Sequence, residues 1–111
     1  MKVALDTTHT TLVIKLIGSI SAFRDAETFY KQVSEKVTDE LENIILDFNE
    51  CSLPDSRFIS KILELYHVSR KKEITVNLMC DNNPDVFDIV KLAYLDKIMP
   101  LISSREEVTG S

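Results

Sequence analysis

The side chains most able to support chemistry lie at Asp55-Ser56, between an apolar run and an amphipathic stretch. The run Ile44-Ile45-Leu46 resumes at Phe48, and it is too short and too β-branched for a helix, which predicts a buried central strand. After Pro54 the apolar period becomes that of a helix. The residues alone leave open whether Ser56 only caps this helix or has a functional role.

The stretch that begins near Ser56 predicts an amphipathic helix running to Arg70. Its apolar residues recur at i, i+4 and i+7 and form one stripe: Phe58, Ile59, Ile62, Leu63, Leu65 and Tyr66. Phe58 has the period to join the core, whereas Arg57 lies outside the stripe and is expected to be exposed. Ser60, one turn inside the helix, is a second candidate hydroxyl.

The residues before the central strand predict a hairpin and a helix. Residues 2–7 and 11–17 indicate two strands joined by so short a link that they must be antiparallel. A helix follows, which we expect to end between residues 37 and 42. One apolar face of this helix comprises Phe23, Ala26, Phe29, Tyr30, Val33 and Val37.

The residues after the second helix continue the alternation. Residues 72–79 predict a strand, and Asn83-Pro84 supplies the cap and first position of a third helix. Residues 98–102 predict a brief last strand, which Pro100 confines to an edge or end of the sheet. Ser103 with Glu106 matches a capping box and predicts a short final helix.

This order predicts an α/β fold in one domain covering residues 1–111. We expect a mixed central sheet of about five strands that starts with an antiparallel hairpin, together with three main helices and a short C-terminal one. Right-handed crossovers would place the first two crossover helices on the same side of the sheet.

The composition limits the classes of function. A formal net charge of −5 argues against nucleic-acid binding, which requires a basic face. The compact basic run Arg70-Lys71-Lys72 complements the dipole at the end of its helix. No apolar run is long enough to span a bilayer, and Asp6 interrupts the N-terminal apolar stretch. We therefore expect a cytoplasmic protein without membrane insertion.

The remaining reactive side chains do not form a recognisable catalytic or metal site. Cys51, Cys80, His9 and His67 lack the spacing of metal ligands, and neither cysteine has a histidine nearby in sequence to act as a base. Two reduced cysteines are expected. Two glycines cannot supply a nucleotide-binding motif. Asp6 stands without the paired acid that a phospho-acceptor aspartate site needs. The sequence predicts no metal, no cofactor and no enzymatic activity.

The order of a strand, a short turn, Asp55-Ser56 and an amphipathic helix resembles the STAS domain of bacterial anti-sigma-factor antagonists. The likeness extends from Gly18 to about Val108, and Leu95-Asp96-Lys97-Ile98 resembles the segment after the family's third helix. The resemblance implies that Ser56 is phosphorylated by a partner serine kinase that also acts as an anti-sigma factor. It implies partner binding by Asp55, Ser56, Arg57 and Ser60, and by Ser21, which stands where the family usually has Asp.

One departure from the family pattern favours an alternative. The family commonly continues after the serine with a small residue and Gly-Leu-Gly, where this chain has Arg57-Phe58-Ile59-Ser60. Glycines at a helix start let a partner's backbone approach closely. The alternative is a constitutive STAS-like scaffold or accessory subunit, for example of a transporter ATPase, that is not phosphorylated.

Overall fold

The computed structural model describes residues 2–18, 23–52 and 56–109, and within these ranges it does not describe the side chains of residues 23, 24 and 109. The strands are β1 (Lys2–Thr8), β2 (Thr11–Gly18), β3 (Asn43–Cys51) and β4 (Thr75–Met79). The helices are α1 (Phe23–Ser34), α2 (Ser56–Lys71), α3 (Pro84–Leu92) and α4 (Glu106–Thr109), and a 3₁₀ turn covers Leu95–Lys97.

Within the described residues the four strands form one mixed sheet in the order β1-β2-β3-β4. The hairpin β1–β2 is antiparallel and sets Leu5 opposite Ile14. The pairs β2–β3 and β3–β4 are parallel, and Leu46 lies between Ile14 and Leu78. The α/β class and the initial hairpin are as predicted.

The prediction of about five strands is wrong by one. Residues 98–102 form no strand; they contribute an isolated parallel bridge between Leu101 and Leu78. Leu78 N–H donates to the Pro100 carbonyl at 2.8 Å, and Ile102 N–H donates to the Leu78 carbonyl at 2.9 Å. The ladder stops there because the preceding residues close a 3₁₀ turn and Pro100 has no N–H to extend the pairing.

The main core lies on one face of the sheet, under α1, α2 and α3. The strands supply Leu12, Ile14, Leu16, Ile44, Leu46, Phe48, Val76 and Leu78, and the helices supply Ala26, Phe29, Val33, Phe58, Ile62, Leu65, Val86 and Val90. Because α1 and α2 both pack into this cluster, the two crossover helices lie on the same side of the sheet, as their handedness predicts. Phe23, placed on this face by the sequence pattern, lies outside the described side chains.

The opposite face of the sheet has a smaller apolar cluster. It comprises Val13, Ile45, Met79 and Ile102, with Val108 of α4 packed against it. The C-terminal segment therefore covers this face, and Arg105 Nη1 lies 3.5 Å from Asp6 Oδ2 of β1. The cap of α4 differs from the predicted box, because Glu107, not Glu106, accepts from the backbone N–H groups of Ser103 and Ser104.

Two helix ends also differ from the prediction. Helix α1 ends at Ser34, although Val37 beyond it is buried as expected. Helix α2 ends in a Schellman motif: Ile74 N–H donates to the Ser69 carbonyl and Glu73 N–H to the Arg70 carbonyl. Glu73 takes the left-handed conformation that this motif requires, with φ of 61°, so β4 begins at Thr75 and not at residue 72.

Candidate partner-binding site at the start of helix α2

The candidate site follows the end of β3. Asn83 connects this strand end to the start of α3 through hydrogen bonds. Asn83 Nδ2 donates to the carbonyl oxygens of Phe48 and Cys51 at 2.8 and 2.7 Å. Its Oδ1 accepts from Val86 N–H at 3.4 Å, and Pro84 occupies the first helical turn. The predicted cap is confirmed, and the same side chain joins two strand carbonyls to a helix start.

Ser56 is the first residue of α2, and it is exposed. Asp55, which precedes it, lies outside the described residues, and so does Ser21. Free N–H groups at a helix start favour an anionic group near Ser56. Of the five residues predicted for partner binding, the structure describes Ser56, Arg57 and Ser60, all of them exposed.

An open groove of about 320 Å³ brings these three residues together between α1 and α2. Helix α2 contributes Ser56, Arg57, Ser60 and Lys61, and helix α1 contributes Ala26 and Glu27. Lys61 and Glu27 were not predicted from the sequence as residues of this site. Lys61 follows Arg57 by four positions on α2, so the helical period could have predicted it. Glu27 belongs to the groove only through the packing of α1 on α2.

Lys61 connects the two walls of this groove. Its Nζ lies 3.1 Å from Glu27 Oε1 on α1 and 3.2 Å from Glu64 Oε2 on α2. The same ammonium lies 5.3 Å from the centre of the Tyr30 ring. The hydrogen bonds to Glu27 and then Glu64 raise the pKa of Lys61 above its usual value. The groove therefore contains a cation held by carboxylates from both helices.

Two of the residues that depart from the family pattern, Arg57 and Phe58, have opposite exposure. Phe58 is buried, and its ring centre lies 4.6 Å from that of Phe29 on α1, with the planes tilted by 41°. It consequently does not occupy the groove. Arg57 is exposed and lines the groove beside Ser56. A partner that approaches Ser56 would thus meet Arg57 but not the aromatic ring.

The other reactive groups are enclosed or scattered. Cys51 and Cys80 are free and buried, and burial is the main cause that raises the pKa of each thiol to about 11. They are therefore protonated near neutral pH, unlike a nucleophilic thiol.

Across the described ranges, no group of three His, Cys, Asp or Glu side chains is arranged to hold a metal ion. None of the described helices is long and apolar enough to cross a membrane.

A hairpin followed by parallel strands, with the crossover helices on one face and an exposed serine at the start of the second, defines an α/β fold with its candidate site at a strand-to-helix junction. The chain belongs to the STAS domain family, whose model matches residues 2–108. The resemblance found in the sequence is thereby confirmed.

Solved structures share this fold over nearly the whole chain. The anti-sigma factor antagonist SpoIIAA in its unphosphorylated form is 20% identical, with a TM-score of 0.82 and coverage of 99% of this chain and 98% of that one. The Bacillus cell fate determinant SpoIIAA in its phosphorylated form is 19% identical, with a TM-score of 0.75 and 98% coverage of both chains.

An anti-sigma factor antagonist from Mycobacterium paratuberculosis is 16% identical, with a TM-score of 0.83 and coverage of 98% of this chain and 91% of that one. At these identities the likeness establishes the fold. No curated protein sequence matches the chain.

Proposed function

We propose that this chain is a non-enzymatic regulatory module of the cytoplasm that resembles an anti-sigma-factor antagonist. Its partner is an anti-sigma serine kinase that docks on the start of α2, and phosphorylation of Ser56 releases it. The observation that supports this proposal most directly is the exposed hydroxyl of Ser56, at a helix start and in a groove shared by α1 and α2. SpoIIAA, which shares the fold, has been solved with and without its phosphate.

The physics of the switch follows from the position of Ser56. A phosphate adds about −1.5 to −2 charges at neutral pH. The helix start tolerates this charge because its N–H groups and dipole favour anions, so the fold should survive the modification. A partner surface packed over the groove would have to bury the charge. An imperfectly paired interfacial charge costs several kcal/mol, which corresponds to a loss of about two or three decades in affinity.

The test begins with a candidate anti-sigma kinase, ATP and the purified protein. We expect intact-mass analysis to show one added phosphate on the wild type and on Ser60→Ala, and none on Ser56→Ala. Ser60 is a suitable control because its hydroxyl lines the same groove one turn further along α2. A phosphate on Ser60, or on both variants, would contradict the assignment of Ser56.

The affinity of the complex supplies the second measurement. By isothermal titration calorimetry, Ser56→Asp should bind the kinase more weakly than the wild type and Ser56→Ala should retain binding. Equal dissociation constants for Ser56→Asp and the wild type would count against the switch, even if the two proteins form a complex.

Arg57 favours a second candidate function, a constitutive scaffold or accessory subunit of a larger assembly such as a transporter ATPase. Arg57 lines the groove at the position where the family pattern has a small residue. This side chain would obstruct a kinase that requires close backbone approach at Ser56. Co-purification with an ATPase subunit, with Ser56 unmodified by intact mass, would select this alternative over the phosphorylated switch.

A further inference from the structure

An apolar surface that the proposed function does not use lies at the end of α3. The large hydrophobic side chains exposed within the described residues are Leu92, Tyr94 and Ile98, with exposed fractions of 80%, 70% and 42%. Leu95 and Met99, from the same turn, are buried in the main core. Leu95 and Met99 thus hold this segment to the core, whereas Leu92, Tyr94 and Ile98 are exposed to solvent.

The exposed side chain of Tyr94 stands at a backbone position that favours glycine. Tyr94 has a φ of 58°, and its N–H donates to the Lys91 carbonyl at 3.2 Å where α3 ends. This left-handed position favours glycine, because a side chain there crowds the backbone. The fold therefore holds an exposed aromatic residue at a position where glycine would be easier to accommodate.

This surface lies away from the groove at Ser56. Helix α3 starts at Asn83, which is bonded to the end of β3 from which the chain leads towards Ser56. The helix then returns along the sheet, because the segment after it forms a parallel bridge with β4 through Leu101. Leu92 and Tyr94 consequently lie towards the opposite end of the sheet, where a partner at the groove does not cover them.

The segment formed by α3 and the turn after it also exposes charged residues of both signs. Asp85, Asp88 and Leu92 recur at i, i+3 and i+7 and are exposed, so they share one face of the helix. Lys97 is exposed between Tyr94 and Ile98. Within the described part of the chain, Asp85, Asp88 and Lys97 make no ion pair. Lys91, which is also exposed, is paired with Asp96 at 3.0 Å. Along the described chain the charged residues of this segment without an ion pair are therefore acidic before Leu92 and Tyr94 and basic after them.

When two copies of this patch face each other in opposite directions, the acidic part of each copy lies against the basic residue of the other. A two-fold interface sets the same patch of two copies against each other in opposite directions. With the axis near Leu92, the acidic half of each α3 faces Lys97 of the other copy, and the apolar side chains meet in the middle. We propose that this α3 patch, comprising Asp85, Asp88, Leu92, Tyr94, Lys97 and Ile98, is a surface for binding a second copy of this chain.

The size and charge of the patch specify what kind of association to expect. A standard interface buries about 800 Å² on each partner, and a patch of one short helix and one turn is smaller, so the dimer should be weak and dependent on concentration. An anionic lipid surface is a poorer occupant, since the net charge of −5 and the two aspartates on the same face would be repelled from it.

Sedimentation velocity over a concentration series reaching the millimolar range tests the proposal. The wild type should pass from monomer towards dimer. Leu92→Ser and Tyr94→Gly should each raise the dimer dissociation constant by about tenfold or more, as for truncation of a central interface residue. Tyr94→Gly guards against misfolding as an explanation, because glycine relieves the left-handed backbone and should leave the thermal midpoint unchanged or higher.

Charge reversal tests the antiparallel arrangement. Asp88→Lys or Lys97→Glu alone should weaken the dimer, and the two changes together should restore it. Glu35→Lys and Lys36→Glu make the same changes of charge at exposed positions after α1 and should have no comparable effect. Ser56→Asp should also leave the dimer unchanged, so this test is independent of the proposed switch.

Three results would overturn the proposal. The protein could remain monomeric at the highest concentration, or form a dimer that Tyr94→Gly leaves intact. It could also stay monomeric while sedimenting with phosphatidylglycerol vesicles in a manner abolished by Tyr94→Gly, which would assign the patch to a lipid surface.

Discussion

The ring centres of Phe29 and Phe58 lie 4.6 Å apart, and this contact joins α1 to the first turn of α2 beneath the candidate site. Both rings are buried. Because Phe58 follows Ser56 by two positions on the same helix, its inward direction places Ser56 on the opposite, outward side of the helix. The side chain that breaks the family pattern thus helps to present the site.

We expect Phe58→Ala to reduce the free energy of unfolding by about 3–5 kcal/mol, because it leaves a cavity where a ring was fully buried. Phe29→Ala should have a similar effect. In a double-mutant cycle the two changes should be non-additive by about 0.5–1.5 kcal/mol, the coupling typical of an aromatic pair. Urea denaturation measures all three variants, and strict additivity would indicate that the rings do not interact.

Asn83 should stabilise the fold through the hydrogen bonds that its Nδ2 donates as well as through its capping of α3. Asn83→Ala should lower the free energy of unfolding by about 1–3 kcal/mol, because the cap is lost and two strand carbonyls lose their partner. Asn83→Asp is the informative control: it keeps an oxygen for Val86 N–H but places a carboxylate against the carbonyls of Phe48 and Cys51.

If Asn83 were only a helix cap, Asp would replace it with little loss. We expect Asn83→Asp to destabilise the protein at least as much as Asn83→Ala near neutral pH, measured by urea denaturation of both variants side by side. A nearly neutral Asn83→Asp would show that the connection to β3 contributes little.

The parts of the fold that were predictable from sequence have local causes. The cap of α3 is a contact between neighbours, Val86 N–H to Asn83 Oδ1, and the β3 residues Ile44–Leu46 and Phe48 are apolar because the parallel strand is covered on both faces. The missing fifth strand could not be found in this way. Residues 98–102 have strand-like composition, but the 3₁₀ turn before them and Pro100 within them limit the pairing to one bridge.

The residues of the candidate site also differ in whether local sequence could predict them. Ser56, Arg57 and Ser60 follow from the helical period of one segment, and Phe58 was expected in the core for the same reason. Glu27 belongs to a different helix, so its approach to Lys61 depends on how α1 packs against α2. Sequence periodicity gives the buried face of each helix but not which polar residues meet across the contact.

Arg57 should moderate the effect of a phosphate on Ser56, if the proposed switch operates. Arg57 lines the groove with Ser56, and an exposed ion pair between a phosphate and this side chain would be worth about 0.2–1 kcal/mol. We expect the ratio of kinase dissociation constants, phosphorylated over unphosphorylated, to be up to about fivefold larger in Arg57→Ala than in the wild type.

Calorimetric titrations of both forms measure this ratio, with Lys31→Ala as a control that removes an exposed cation from α1 outside the groove. Identical ratios for Arg57→Ala and the wild type would mean that Arg57 does not act on the phosphate.

The two buried thiols predict a loss of stability at alkaline pH. Burial raises the pKa of Cys51 and of Cys80 from 9.0 to about 11, because the thiolate is poorly solvated inside the core. Below pH 9 both the folded and the unfolded chain keep these protons, and the contribution to stability is fully present. Between about pH 9 and pH 11 the unfolded chain loses them first, so stability falls.

Lysine and tyrosine side chains titrate in the same window, so the wild type must be compared with the double variant Cys51→Ala/Cys80→Ala. The variant is expected to start from a lower thermal midpoint, because it has two small cavities in the core. Its midpoint should then fall less steeply between pH 9 and pH 11 than that of the wild type. Parallel curves would show that the thiols ionise as readily in the folded chain as in the unfolded one, which is incompatible with their burial at the ends of β3 and β4.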